Sequence, residues 1–131
     1  MSGMTDLPTL LASMCPRLQP GRFVFVTVSD LFDATGLDPV GIFRESEAVT
    51  AICRVEHAHQ ARLDYESCYR LITLQVHSAL ETVGFLAAVS SALARAGIPC
   101  NVFSAFYHDH LFVPEALAEA TMAELDSLGG Q

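Results

Sequence analysis

The sequence predicts an α+β protein of two intertwined halves, each an antiparallel sheet with its helices packed on one face. Three observations lead there. Residues Tyr69 to Leu128 read in order as strand, helix, strand, strand, helix. Phe23 to Val28 reads as a separate strand with a short helix before it. A polar stretch, Asp64-Tyr65-Glu66-Ser67, lies between the two and divides the chain into halves of 1–65 and 66–131. A chain of 131 residues has room for one ordinary domain or for two very small ones sharing a core.

Each element has a local cause. Thr5 and Asp6 are N-cap types ahead of Leu7 to Met14, a brief helix that must stop before Pro16. Pro20-Gly21 turns the chain into Phe23-Val24-Phe25-Val26-Thr27-Val28, apolar on both faces and so a central or doubly covered strand. Asp30 to Pro39 reads as a loop. Two weaker strands follow, Val40 to Arg44 and Val49 to Val55, joined through Glu45-Ser46-Glu47-Ala48, and a short helix spans Glu56 to Arg62.

Tyr69 to His77 alternates as a strand, Leu71, Thr73, Gln75 and His77 opposing Ile72, Leu74 and Val76. Val83 to Ala96 is a helix with Leu86, Val89 and Leu93 at helical spacing and Ala87 and Ser90 packed beside them. Gly97 supplies the left-handed residue past its end and Pro99 blocks continuation. Asn101 to Tyr107 is the next strand, His108-Asp109 turns it into His110 to Val113, and Pro114-Glu115 open a last helix that Gly129-Gly130 ends. Leu117, Thr121, Leu125 and Leu128 share a face of that helix.

A strand, helix, strand run this short implies a right-handed crossover. The whole run is then five-sixths of a ferredoxin-like βαββαβ unit. The sixth element must come from elsewhere in the chain or from a partner. Phe23 to Val28 is the available strand, so the halves are expected to complete each other.

The composition narrows the function. A net charge of −8 speaks against a nucleic-acid partner, which needs a basic face. No apolar run approaches the ~20 residues that cross a bilayer, and the first residues lack a signal peptide's basic start, so the cytoplasm is the expected location and no membrane is expected. Hydrophobic residues make up 51%, enough for a core with some left for a subunit interface. Phe103, Phe106 and Phe112 near strand edges would serve a homodimer. Cys15, Cys53, Cys68 and Cys100 are spaced neither as a redox pair nor as a zinc knuckle and read as small hydrophobes. The seven basic residues are all arginine, which we connect to no mechanism.

Three groups of residues could carry chemistry. The loop His77-Ser78-Ala79-Leu80-Glu81-Thr82-Val83-Gly84 leads from strand to helix. A helix N-terminus offers unpaired N–H groups and partial positive charge, and so can hold a carboxylate. Gly84 would allow close approach, and Asn101 could bond an amino or carboxyl group. Capping by Thr82 and tight packing at Gly84 account for the same residues without a ligand. His108-Asp109-His110 could start a divalent metal site, but the sequence fixes no third ligand, and Asp is common in turns for its local hydrogen bonds. His57 and His59 would point apart on a helix. Glu45 and Glu47 could meet a ligand's amino group, although a solvated hairpin turn explains them as well. Neither a nucleophile elbow, a phosphate loop nor a dinucleotide fingerprint is present, so no catalytic residue and no cofactor are expected.

Val83-Gly84-Phe85, the turn Ala96-Gly97-Ile98-Pro99-Cys100-Asn101 and Tyr107-His108-Asp109-His110-Leu111-Phe112-Val113-Pro114 together resemble the ACT domain family, above all its small stand-alone bacterial members with two ACT-like halves. Leu18 to Phe25 and Arg44 to Thr50 resemble the same group, so the likeness runs from about Leu7 to Leu128, with Ala48 standing where the pattern has glycine. The resemblance implies a non-catalytic regulatory protein that binds a small effector, an amino acid in most of the family, and that contacts a metabolic enzyme or regulator. It places the effector pocket at His77, Ser78, Leu80, Thr82, Val83, Gly84, Phe85 and Asn101. A structural dimerisation module without a ligand is the alternative, and after it a metal-dependent enzyme using Tyr107 to His110.

Overall fold

The structure is a computed structural model that describes residues 6–76 and 82–130. It forms two compact units, one of Gly21–Tyr69 and one combining the chain up to Pro20 with the chain from Arg70 onward. Both are α+β units of ferredoxin-like form.

The first unit contains β2 (Phe23–Val28), α2 (Leu31–Thr35), β3 (Gly41–Arg44), β4 (Val49–Arg54) and α3 (Val55–Gln60). The strands run β3-β4-β2, all antiparallel, and Tyr69 pairs beside Phe23 as the start of a fourth strand. The register Val24↔Cys53, Val26↔Ala51 and Val28↔Val49 puts one alternating set on one face. That face packs with Ala34, Leu37, Val55 and Ala58 as a core. Phe23 and Ile52 on the opposite face are buried as well, which fits the doubly apolar pattern of β2. Between Asp30 and Pro39, where a loop is expected, the structure has α2, whose N-cap Asp30 accepts from the Asp33 N–H at 2.8 Å. Five residues make barely more than one turn, too short for any helical period to register.

The second unit is assembled from the two ends of the chain. It contains α1 (Leu7–Ala12), β1 (Pro16–Leu18), β5 (Tyr69–Leu74, of which Tyr69 belongs to the first unit), α4 (Phe85–Arg95), β6 (Asn101–Ser104), β7 (Asp109–Pro114) and α5 (Ala118–Leu128), the last entered through a 3₁₀ turn at Glu115–Leu117. The strand order is β1-β5-β7-β6. The sixth element is therefore Pro16–Leu18, paired Pro16↔Leu74 and Leu18↔Ile72, and not Phe23 to Val28. The longer strand is the centre of its own unit, and three residues led by proline carry too little pattern to read as a strand. Proline is tolerated there because it begins an edge strand of this unit.

Ile72 and Leu74 of β5 and Leu111 and Val113 of β7 face Leu10 of α1, Phe85, Val89 and Leu93 of α4 and Leu125 of α5 in one buried core. Helices on one face are thus realised here. Ala87 and Ser90 are exposed rather than packed, and Phe85 and Ala92 take their place. Past α4, Gly97 has φ +76° and the Ile98 N–H reaches back to the Leu93 carbonyl at 2.9 Å, closing the helix as its sequence predicts. The hairpin turn falls earlier than expected. The Ala105 N–H donates to the His108 carbonyl at 3.0 Å, and Asp109 already belongs to β7.

All four cysteines are free, and burial pushes the Cys100 thiol up to about 11. No described helix is long and apolar enough to cross a membrane.

Candidate functional site

In the second unit a cavity of about 110 Å³ opens where α4 begins and β6 ends. Its walls are Thr82, Gly84, Phe85, Leu86 and Ala87 on the helix side and Ser104, Ala105, Tyr107, His108 and Asp109 on the hairpin side. A helix followed by a strand that doubles back under it brings the end of that strand to the helix N-terminus, which is why these two segments meet.

The helix side presents the N-terminus of α4. Gly84 is the N-cap of α4 with φ +96°, a left-handed backbone that a side chain would strain, although a Cβ there would meet only Leu7 Cδ2 at 3.8 Å. The first helical bond runs from the Ala88 N–H to the Gly84 carbonyl at 2.9 Å, and among the described residues no side chain caps the N–H groups before it. Other helix starts are answered from within the chain. Asp6 caps α1 and Asp30 caps α2, while α3 and α5 carry Glu56 and Glu119 in their first turns. α4 has neither a side-chain cap nor an acidic residue there.

The hairpin side contributes Asp109, only 6% exposed. It follows the alternation of β7, on the same face as the core residues Leu111 and Val113. His110 and Phe112 fall on the other face, where the His110 Nδ1 lies 3.0 Å from the Thr73 hydroxyl and Phe112 meets Phe103 edge-on. The Nδ1 of His108 is buried and has no hydrogen-bond partner. The volume holds roughly eight water-sized groups, the scale of a short-chain amino acid and not of a nucleotide.

Among the residues the sequence nominates, Thr82, Gly84 and Phe85 line this cavity. Val83 is 90% exposed and does not. His77, Ser78 and Leu80 lie outside the described residues. Asn101 stands at the opposite end of β6, paired with Phe112, under the C-terminal end of α4 and away from the cavity. Tyr107, His108 and Asp109, nominated only for a metal or an enzyme, line the cavity as well, and Leu86, Ala87, Ser104 and Ala105 are the additions. Asp109 was hidden because reading His108-Asp109 as the turn removed it from the strand alternation that carries it inward.

His108 and His110 rings sit 6.4 Å apart and nearly perpendicular, and no group of three or more metal-binding side chains gathers among the described residues. In the first unit the Glu45 carboxylate accepts from the Thr50 hydroxyl and the Glu45 N–H donates to Ala48, the bonds of a hairpin turn. Two larger and more open hollows lie in that unit, one by Phe25, Tyr65 and Tyr69 and one by Phe32, Leu37 and Leu63. Neither pairs an open helix start with a buried polar group.

Comparison with known proteins places these features in context. Two family profiles, both described as ACT domain, match residues 2–70 and 66–127. Among solved structures, the chain is similar to a Vibrio cholerae protein of unknown function described as a possible transport protein, at 42% identity over 98% of this chain and 99% of that one, with a TM-score of 0.87. It is also similar to an Agrobacterium tumefaciens protein at 25% identity over 87% of each chain, with a TM-score of 0.70. The regulatory subunit of aspartate kinase from Thermus thermophilus shares the fold at 12% identity, covering 88% of this chain and 97% of that one, with a TM-score of 0.66. A search of curated proteins finds no match.

Proposed function

The chain belongs to the ACT domain family, and on that premise we propose that it is a non-catalytic regulatory protein whose effector, an amino acid, binds in the cavity between the start of α4 and the β6–β7 hairpin. The observation that carries this reading is the uncapped N-terminus of an eleven-residue helix opening onto a cavity of amino-acid size. Three N–H groups, those of Phe85, Leu86 and Ala87, precede the first helical bond and suit an α-carboxylate. Gly84 leaves the approach clear of a side chain, and Thr82 adds a hydroxyl to the wall.

The fold shared with regulatory subunits of aspartate kinase supports a metabolic enzyme or regulator as the partner of this chain. A homodimer is the assembly we propose, and the cytoplasm is its compartment. A structural module that dimerises without any ligand is the reading that remains if the cavity binds nothing.

Thermal unfolding against the twenty amino acids, one at a time, tests the proposal. A ligand that binds only the folded state at a hundred times its Kd adds about 2.7 kcal/mol, a rise of roughly ten degrees for a chain of this size. We expect a selective rise with one or a few amino acids, lost in Gly84→Val. If no amino acid raises the midpoint, the structural module becomes the better account.

A further inference from the structure

The hollow of the first unit beside β2 combines aromatic rings with negative charge. It measures about 360 Å³, and its wall includes the half-buried Phe25, Tyr65 and Tyr69 and the exposed Asp64 and Glu66. The rings stand there for local reasons. Tyr69 pairs in register with Phe23, so its ring reaches the next residue on that face and meets Phe25 edge-on, with centroids 5.2 Å apart. Tyr65 is held from outside the hollow. The His59 ring, which is not part of the wall, stacks on it at 5.6 Å, and the His59 Nε2 lies 2.8 Å from the Tyr65 hydroxyl. Asp64 and Glu66 flank Tyr65 in the chain, and neither makes a hydrogen bond or ion pair among the described residues. No basic side chain stands in the described wall, although the chain carries seven arginines. A solvated connector explains the carboxylates, and packing explains the buried part of each ring. Neither explains why the open parts of two tyrosines and two free carboxylates close on one hollow.

We propose that this hollow binds a small organic cation of the quaternary ammonium class, with Tyr65 and Tyr69 offering their rings and Asp64 and Glu66 supplying charge. The face of an aromatic ring carries the negative part of its quadrupole and attracts a cation placed over it. A quaternary ammonium has no N–H to donate, so it forgoes no hydrogen bond by resting against rings. A metal ion would need a set of oxygen or nitrogen ligands, and no group of three gathers among the described residues. The net charge of −8 draws cations toward the chain over a longer range. The hollow shares no wall residue with the effector cavity at α4, so this proposal stands or falls separately from the effector reading.

The test is a tyrosine-fluorescence titration of the full chain with choline, and with its uncharged analogue in which carbon replaces the nitrogen. The chain has three tyrosines and no tryptophan, and Tyr65 and Tyr69 both stand in this wall. We expect saturable binding of choline, at least about fivefold tighter than that of the analogue. Tyr65→Leu should cut this preference to about twofold or less, while Tyr65→Phe, which keeps the ring and loses the His59 bond, should retain it. Asp64→Asn combined with Glu66→Gln should weaken choline and leave the analogue unchanged. Equal wild-type affinities would overturn the proposal, and so would a choline titration without saturation. The full preference surviving in Tyr65→Leu, or choline binding unchanged in the double variant, would overturn it too. Should Tyr65→Leu not fold, the wild-type ratio and the double variant decide.

Discussion

At the scale of single residues, two neighbours on β7 face opposite sides of their sheet. Asp109 faces the cavity, whereas His110 on the opposite face sits in a short polar chain: the Gln19 amide donates to the Thr73 hydroxyl at 3.2 Å, which in turn lies 3.0 Å from the His110 Nδ1. With Gln19 donating, the Thr73 proton is available to an unprotonated Nδ1. Burial lowers the His110 pKa and His108 lowers it further, against a smaller opposing effect of Asp109. A histidine whose folded value lies below the unfolded one takes up its proton more readily when the chain unfolds, so its stabilising share is present above pH ~6.5 and is lost as pH falls through the folded value. The unfolding midpoint is expected to drop between pH 7 and 5, and to drop less in His110→Gln; equal slopes in scanning fluorimetry would rule this out. Residue-level legibility was uneven for a physical reason. Gly84 and Phe85 announce themselves through a motif, but the inward direction of Asp109 depends on where a turn ends, and a shift of one position reverses every side chain in a strand.

Among elements, α4 and α5 were readable because eleven residues give three turns of apolar repeat, while α2 and β1 offered five and three residues and no usable period. Packing distinguishes positions that the repeat alone does not. Leu125 of α5 is fully buried among Leu10, Leu93 and Leu111, so Leu125→Ala should cost about 3 kcal/mol in urea unfolding. Ser90, which the repeat placed in the interior, is exposed and bonds only the Ala87 carbonyl at 3.3 Å. Ser90→Ala should therefore stay within about 0.5 kcal/mol. A large loss there, or a small one at Leu125, would contradict the observed burial.

For the molecule as a whole, the polar stretch Asp64 to Ser67 suggested halves of 1–65 and 66–131, whereas the compact units are Gly21–Tyr69 and the two ends of the chain taken together. Gln19 and Thr73 meet across 54 positions of sequence, and no local pattern encodes such a distance. The aromatic side chains that suggested a subunit interface separate on inspection: Phe112 is buried and Phe103 half-buried, whereas Phe106 and Tyr107 are 59% and 66% exposed beside the cavity. Light scattering on the purified chain is expected to give the mass of a dimer, and Phe106→Asp to shift it toward the monomer; a monomeric wild type would refute the homodimer. The borrowed strand also sets a timetable during synthesis. Gly21 to Tyr69 is complete once Tyr69 clears the ribosome, but Leu10 and Met14 have no core until Leu111 and Leu125 emerge. At about 5–20 residues per second, that interval lasts on the order of five to twenty seconds. Helix α1 is therefore made well before the residues that bury it, and for that time its apolar side is open to a chaperone.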